Sequence, residues 1–301
     1  MINDSYHIPV LLQESIDALD IKPDGIYVDV TFGGGGHSSF ILKQLGKAGR
    51  LYGFDQDPDA VSNAIQDPRF TMVQANFRFL TQFMRYYNID KVDGILADLG
   101  VSSFHFDMPE RGFSYRFEAE LDMRMNQSTV LTAAQVLHKY SAEQLQNIFS
   151  NYGEVRNSKT LSRAIVDGRQ RKKIKMTSDL MSVIQDVYRG DLQKYASQVF
   201  QALRIEVNDE MGVLEDFLDN GLKLLNAGGR MVVISYHSLE DKLVKQYLRS
   251  SSGKPQIEYD EYGRTIEKYK PVSKKPIMPT EIEIEKNSRA ASAKLRATEK
   301  L

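Results

Sequence analysis

Three short stretches hold residues whose types and spacing suit chemistry on a small ligand. The first is "VDVTFGGGGHSSF", Val28 to Phe40, in which four consecutive glycines follow a short apolar run. Glycine costs backbone entropy and stands where a chain must take φ > 0 or admit a close approach. The second is "FDQDPDA", whose first acid, Asp55, lies 19 residues after Gly36. The third is "DLGVSS", with Asp98 and Ser102, and farther on "ISYHSLED" carries His237. A strand, a glycine loop and a helix together offer backbone N–H groups and a helix N-terminus to a ligand. An acid at the end of the following strand can accept both hydroxyls of a ribose.

The familiar dinucleotide pattern is not met. G-x-G-x-x-G needs a third glycine where this chain has Ser38, counted from Gly33, or Ser39, counted from Gly34. No Gly-Lys-Ser/Thr follows, which excludes a P-loop. A ribose site without a phosphate loop points to adenosine carried on something else. S-adenosylmethionine fits, having a ribose, an adenine, a charged amino-acid end and no phosphate. Gly33 to Gly36 would admit its methionine moiety, and Asp29 could meet its ammonium. Each residue also has a plainer reading. The glycines could form only a tight turn, Asp57 and Asp59 could be helix-start acids, Asp98 a loop-capping acid, and His237 a hydrogen-bonded structural histidine.

The elements that must position these residues alternate along the first hundred positions. Strands are expected at 25–31, 50–55, 70–75 and 92–99, with helices at 37–45, from Pro58, and at 77–87. Such alternation implies a parallel sheet with helices on its faces. The next clear strand, 228–235, comes about 130 residues later, whereas a crossover needs only about 30. The surplus reads as an inserted helical domain, 106–196, with helices at 141–153, 158–173 and 177–188. The main domain is then 1–105 plus 197–301. Phe200, Leu203, Val207, Met211, Leu214, Leu218, Leu222 and Leu225 step by three or four residues, the pattern of one helix face. A last strand is expected at 292–298.

Composition narrows the classes. The chain of 301 residues is 42% hydrophobic, enough for one large domain or two modest ones. It has no cysteine, which rules out disulfides, thiolate metal sites and a cysteine nucleophile. No metal site is expected. Its apolar runs are too short to cross a bilayer, and "MINDSYHIPV" lacks the basic and apolar regions of a signal peptide. The expectation is a cytoplasmic protein without membrane contact. A net charge of −1 hides an asymmetry: residues 1–67 carry ten acids against four basic residues, and 242–301 carry fourteen basic residues against eight acids. Between Arg156 and Lys175 eight basic residues face one acid, Asp167. Two basic segments on a near-neutral chain suit a polyanionic partner, or else are solvated faces.

The motifs "HIPVLLQESIDAL", "DVTFGGGGHS", "FDQDPDA", "DGILADLGVSS", "RGFSY", "LDMRM", "FQALRIEVNDE", "ISYHSLEDKLVK" and "SRAASAKLR" stand in this order over nearly the whole chain. Together they resemble the bacterial 16S ribosomal RNA cytosine-N4 methyltransferases. The resemblance implies an α/β fold, a class I methyltransferase (Rossmann-like) sheet with helices on both faces and an inserted all-α domain. It implies S-adenosylmethionine as donor and a decoding-region cytosine of 16S rRNA, free or in the small ribosomal subunit, as acceptor. Carried over by position, the cofactor contacts are Gly35, Gly36, His37, Asp55, Phe77 and Asp98, with Gly33 added from the loop. The family usually has Pro-Gln after "VSS", its glutamine counted a cofactor contact; here those positions are Phe104 and His105. A homodimer is compatible with this reading.

The chemistry can be argued separately. Methylation of cytosine at C5 normally needs a thiolate to attack C6, and this chain has none. An exocyclic amine can instead attack a sulfonium methyl directly, leaving alignment and exclusion of water to the enzyme. An acceptor near the amine N–H would help, and Asp98, Ser102 and His237 are the candidates. Alternative activities are amine methylation of DNA or protein, or cofactor binding by an assembly factor without catalysis.

Overall fold

The computed structural model describes residues 9–100, 111–250, 252–254 and 259–301. The chain divides into two compact units, residues 1–100 with 213–301, and residues 101–212.

The first unit is built on a seven-stranded sheet. In chain order its elements are α1 (Leu12–Leu19), β1 (Ile26–Asp29), α2 (Gly36–Gln44), β2 (Arg50–Asp55), α3 (Pro58–Val61), β3 (Phe70–Gln74), α4 (Leu80–Tyr86) and β4 (Val92–Asp98). The strand order is β3-β2-β1-β4, continued by β5 (Leu225–Ser235), β7 (Lys294–Lys300) and β6 (Tyr269–Pro271). β1 to β5 run parallel, and β7 is antiparallel to both β5 and β6. This is the arrangement that the resemblance implies. Strand order reverses beside β1, between β2 and β4, the switch point at which open α/β sheets bind ligands.

Alternation along the strands explains the two apolar layers. Val28, Phe54, Ile95, Ala97, Met231 and Val233 face one side, against Leu80 and Met84 of α4, Leu218 and Leu222, and Val244 and Leu248. Tyr27, Leu51, Leu96, Val232, Ile234 and Leu295 face the other, against Ile16 and Leu19 of α1 and Ile41 and Leu42 of α2. Both faces are covered, so the central strands read as nearly continuous apolar runs.

The second unit is helical: α5 (Ala133–Lys139), α6 (Ala142–Asn151), α7 (Ser158–Arg171), α8 (Thr177–Val187) and α9 (Leu192–Asn208). Its separate core includes Leu137, Leu145, Phe149, Leu161, Ile165, Leu180, Ile184, Val199 and Leu203.

The expected single helix through 200–225 is instead two. α9 ends at Asp209, which takes a left-handed conformation (φ 48°), and α10 (Glu210–Leu224) follows at once. Apolar periodicity survives such a break because the pattern does not register one left-handed residue. Arg204 braces the corner with two hydrogen bonds to the Glu210 carboxylate, each 2.8 Å. Phe200, Leu203 and Val207 consequently belong to the helical core, and Leu214, Leu218 and Leu222 to the sheet core. The unit boundary falls at 212/213, after the sequence-based boundary of 196/197. Other differences are smaller. The helix after Pro58 is only four residues long, and a 3-10 turn (Phe77–Phe79) precedes α4. β5 begins already at Leu225 and takes in Asn226–Gly229, which the sequence reading gave to a helix stop. Short β6 carries no signal of its own, since proline ends it. Among the described residues no helix is long and apolar enough to cross a membrane.

Candidate functional site

The site is assembled at the carboxyl ends of β1, β2, β4 and β5. After β1, the loop turns through Gly33 (φ 52°) and Gly35 (φ 75°) before α2 begins at Gly36. Gly33 N–H donates to Asp55 Oδ2 at 2.9 Å, and Asp57 N–H donates to Asp55 Oδ1, also at 2.9 Å. The acid ending β2 thus organises two loops. Pro58 opens α3, and Asp57 caps it by accepting from Asp59 N–H at 3.0 Å.

The three glycines differ. A Cβ on Gly33 would lie in open space, its nearest neighbour Thr31 O at 3.9 Å. One on Gly35 would stand 2.8 Å from the Phe32 ring, and one on Gly36 would collide with Pro9. Gly35 and Gly36 are therefore required by the protein's own packing. The open side of Gly33 is the cradle that a side chain would fill and a cofactor can occupy.

An acidic network lies behind this loop, with Asp29 buried and Asp98 half-buried. Asp29 is 1% exposed and accepts from Ser38 Oγ at 2.7 Å and from Thr31 N–H at 3.2 Å. Burial pushes its carboxyl up to about 6; Ser38 and Thr31 pull it down and Asp55 pushes it up further. Thr31 Oγ accepts from the Asp98 N–H at 2.7 Å, tying β4 to β1. Asp98 Oδ1 accepts from the Tyr236 hydroxyl at 2.7 Å, and Oδ2 lies 3.9 Å from His37 Nδ1. Burial pushes Asp98 up to about 7; Tyr236 opposes that, while Asp29 and Glu240 add to it. His37 is buried and held down to about 4, with its Nε2 3.2 Å from Val10 O. It is neutral at pH 7, and the bond to Val10 O places its proton on Nε2.

Of the remaining expected residues, Phe77 lies half-buried after β3, edge-to-face with Phe217 at 5.3 Å. His237 is the N-cap of α11 (Ser238–Leu248), its Nδ1 accepting from Glu240 N–H at 3.4 Å. Glu240 Oε2 in return accepts from Tyr236 N–H at 2.9 Å and His237 N–H at 3.3 Å. The geometry gives His237 a capping task. Ser102 and His105 lie outside the described residues. The structure thus brings Gly33 to Asp55, and His37 to Asp98.

A family model described as the MraW methylase family matches residues 4–301. The chain belongs to that family. Among curated members, it is 53% identical to the ribosomal RNA small subunit methyltransferase H of Parabacteroides distasonis, over 98% of both chains. It is 52% identical to the protein of the same name from Flavobacterium johnsoniae, again over 98% of both. Among solved structures, an rRNA methylase from Streptococcus thermophilus aligns over 100% of this chain and 99% of its own at 12% identity, with a TM-score of 0.42.

In this MraW-family chain the sequence reading missed Tyr236, Thr31 and Ser38. Their signal is weak: each is a hydroxyl residue beside a strand end or a glycine loop, where polar residues are ordinary. The "LDMRM" motif serves the helical unit itself. Arg124 clasps Asp122 at 2.6 and 2.7 Å and donates to Gln127 O and Thr129 O, folding the turn before α5.

Proposed function

We propose that this protein is an S-adenosylmethionine-dependent methyltransferase that methylates the exocyclic N4 amine of a cytosine in the decoding region of 16S rRNA. One observation carries the reading: 53% identity, end to end, with a curated small-subunit rRNA methyltransferase. The glycine loop, with its open face at Gly33 and its tie to Asp55, supports the donor assignment.

The donor supplies an electrophilic methyl group on a sulfonium. Asp55 would receive the ribose hydroxyls, since an ionised carboxylate offers about four acceptor positions. Gly33 leaves room for the donor, with Gly35 and Gly36 shaping the turn. Phe77 would flank the adenine, and Asp98 would present a carboxylate to the cationic end. His37, neutral and tethered to Val10, shields Asp98 without competing for its charge. Acceptor alignment falls to groups at the mouth of the site, for which Asp98, Ser102 and His237 are our candidates. His105 takes the place of the family's glutamine contact.

The helical unit is assigned to RNA recognition, on the strength of exposed Arg171, Lys172 and Lys173 at the end of α7. On this reading the substrate is 16S rRNA, free or in the small ribosomal subunit, a homodimer is compatible with it, and the cytoplasm is the proposed location. Incubation of the protein with immature small subunits and methyl-labelled donor should place label in N4-methylcytosine, located by mass mapping of rRNA fragments. Label recovered only in protein or DNA would replace this reading with amine methylation of another substrate. Donor binding without any transfer would favour an assembly factor.

A further inference from the structure

Tyr236 stands between the end of β5 and the His237 cap. Its N–H donates to Glu240 Oε2 at 2.9 Å, and its ring lies against Gly100, where an added Cβ would come within 3.3 Å of it. Fixed at backbone and ring, its hydroxyl reaches Asp98 Oδ1 at 2.7 Å. We propose that Tyr236 is a positioning residue for the donor site, acting through Asp98: its phenol holds one carboxylate oxygen in place and stabilises negative charge on it, so that a carboxylate faces the cationic donor. This rests on the donor reading above.

The surroundings of Asp98 oppose its ionisation from several sides. Asp29 approaches from β1 and Glu240 from α11. His37, from α2, is neutral and supplies no countercharge. Glu283, on α12 (Glu281–Lys286), adds negative potential around Tyr236. Among the described residues no lysine or arginine forms an ion pair with Asp98. Among the described residues, the Tyr236 hydroxyl is the interaction that favours the charged form. It remains a donor throughout the neutral range, because burial and then Asp98 raise its own ionisation far above the ordinary phenol range. A half-buried carboxyl among acids, without that donor, would take up a proton more readily.

Tyr236→Phe removes one oxygen and leaves the ring against Gly100. Donor affinity should be measured by titration calorimetry for the wild type and the variant from pH 6 to 9. Loss of a hydrogen bond to a charged group should move the Asp98 midpoint upward by about one unit. The wild-type to variant affinity ratio, in which the donor's own titration cancels, should then be about tenfold at pH 6 and close to one at pH 9. With Asp98→Asn present, Tyr236→Phe should change nothing further at any pH. In the cofactor-free protein, carbon-13 NMR should show the Asp98 carboxyl titrating later in the variant. A ratio that is constant with pH would mean a purely structural role and overturn the proposal. Donor binding with superimposable pH curves would overturn it alone, leaving the function reading intact. A wild type that binds no donor at any pH would overturn both.

Discussion

Asp55 does two things with one carboxylate: it orders the glycine loop through Gly33 and starts the next turn through Asp57. Asp55→Ala should therefore weaken donor binding by about one to two decades, as loss of hydrogen bonds to a charged acceptor implies. Calorimetric titration of a folded variant with wild-type affinity would take Asp55 out of the site. The glycines separate along the same line. Gly33→Ala adds a methyl where space is open, at the modest cost of about 1 kcal/mol for a left-handed alanine. It should spare folding and lose donor binding. Gly35→Val puts its Cβ against Phe32 at a positive φ, so it should lower the melting temperature before binding is even tested. Equal melting temperatures for the two variants would contradict this division. The acids Asp29 and Asp98 predict a pH effect on the protein without donor. Asp29 and Asp98 titrate higher folded than unfolded, so the folded state holds more protons between about pH 4 and 7. Their contribution to stability is greatest at low pH and is lost as pH rises through 6 to 7. Asp98→Asn should flatten that fall, measured as the difference between wild-type and variant unfolding free energies at pH 5 and pH 8.

At the scale of elements, the basic run proves to be of mixed use. Arg169 donates to Leu137 O and Tyr140 O, both at 2.7 Å, and so serves the C-terminal end of α5. Lys172 pairs with Asp179 of α8 at 2.6 Å although it is 81% exposed. Arg171 and Lys173 are exposed and flank that pair. Arg169→Ala should cost about 1–2 kcal/mol of stability through two unpaired carbonyls. Arg171→Gln with Lys173→Gln should instead spare stability and donor affinity but weaken RNA binding. The slope of log K against log salt should become shallower by about 1.4–1.8, two phosphate contacts' worth. An unchanged slope would make this end of α7 a solvated face. Much of the element pattern was legible because strands buried on both faces are continuous apolar runs and helices carry a period of three to four. Asp209 shows where legibility ends, since one residue in the left-handed region redirects a helix without altering that period. Tyr236 shows it for the site. Its partner Asp98 is 138 residues away, and no local spacing announces a contact made by sheet order.

Taken as a whole, the molecule has an apolar layer on each face of its sheet and a separate core inside its helical unit. The acidic N-terminal third supplies the glycine loop and Asp55, whereas the basic run that suits RNA lies in the helical unit. On the function proposed above, donor and polyanion chemistry fall to different units, and ligand binding should separate them energetically. A ligand that binds only the folded sheet unit stabilises that unit alone, by about 2.7 kcal/mol when its free concentration is about a hundred times Kd. For a unit of this size that corresponds to a rise of about 5–10 °C in its unfolding transition. Calorimetry on the full chain should accordingly resolve two transitions. S-adenosylmethionine should raise the one assigned to the sheet, with Leu96, Val232 and Ile234 as exchange-protected reporters. The other transition should stay in place, as followed by amide exchange at Leu145, Phe149 and Ile165 in the helical core. Asp55→Ala should abolish the shift while leaving both transitions present. A single cooperative transition that moves as one with donor would show that the two cores share their stability, and the assignment of donor binding to the sheet unit would then have to rest on the Asp55 titration.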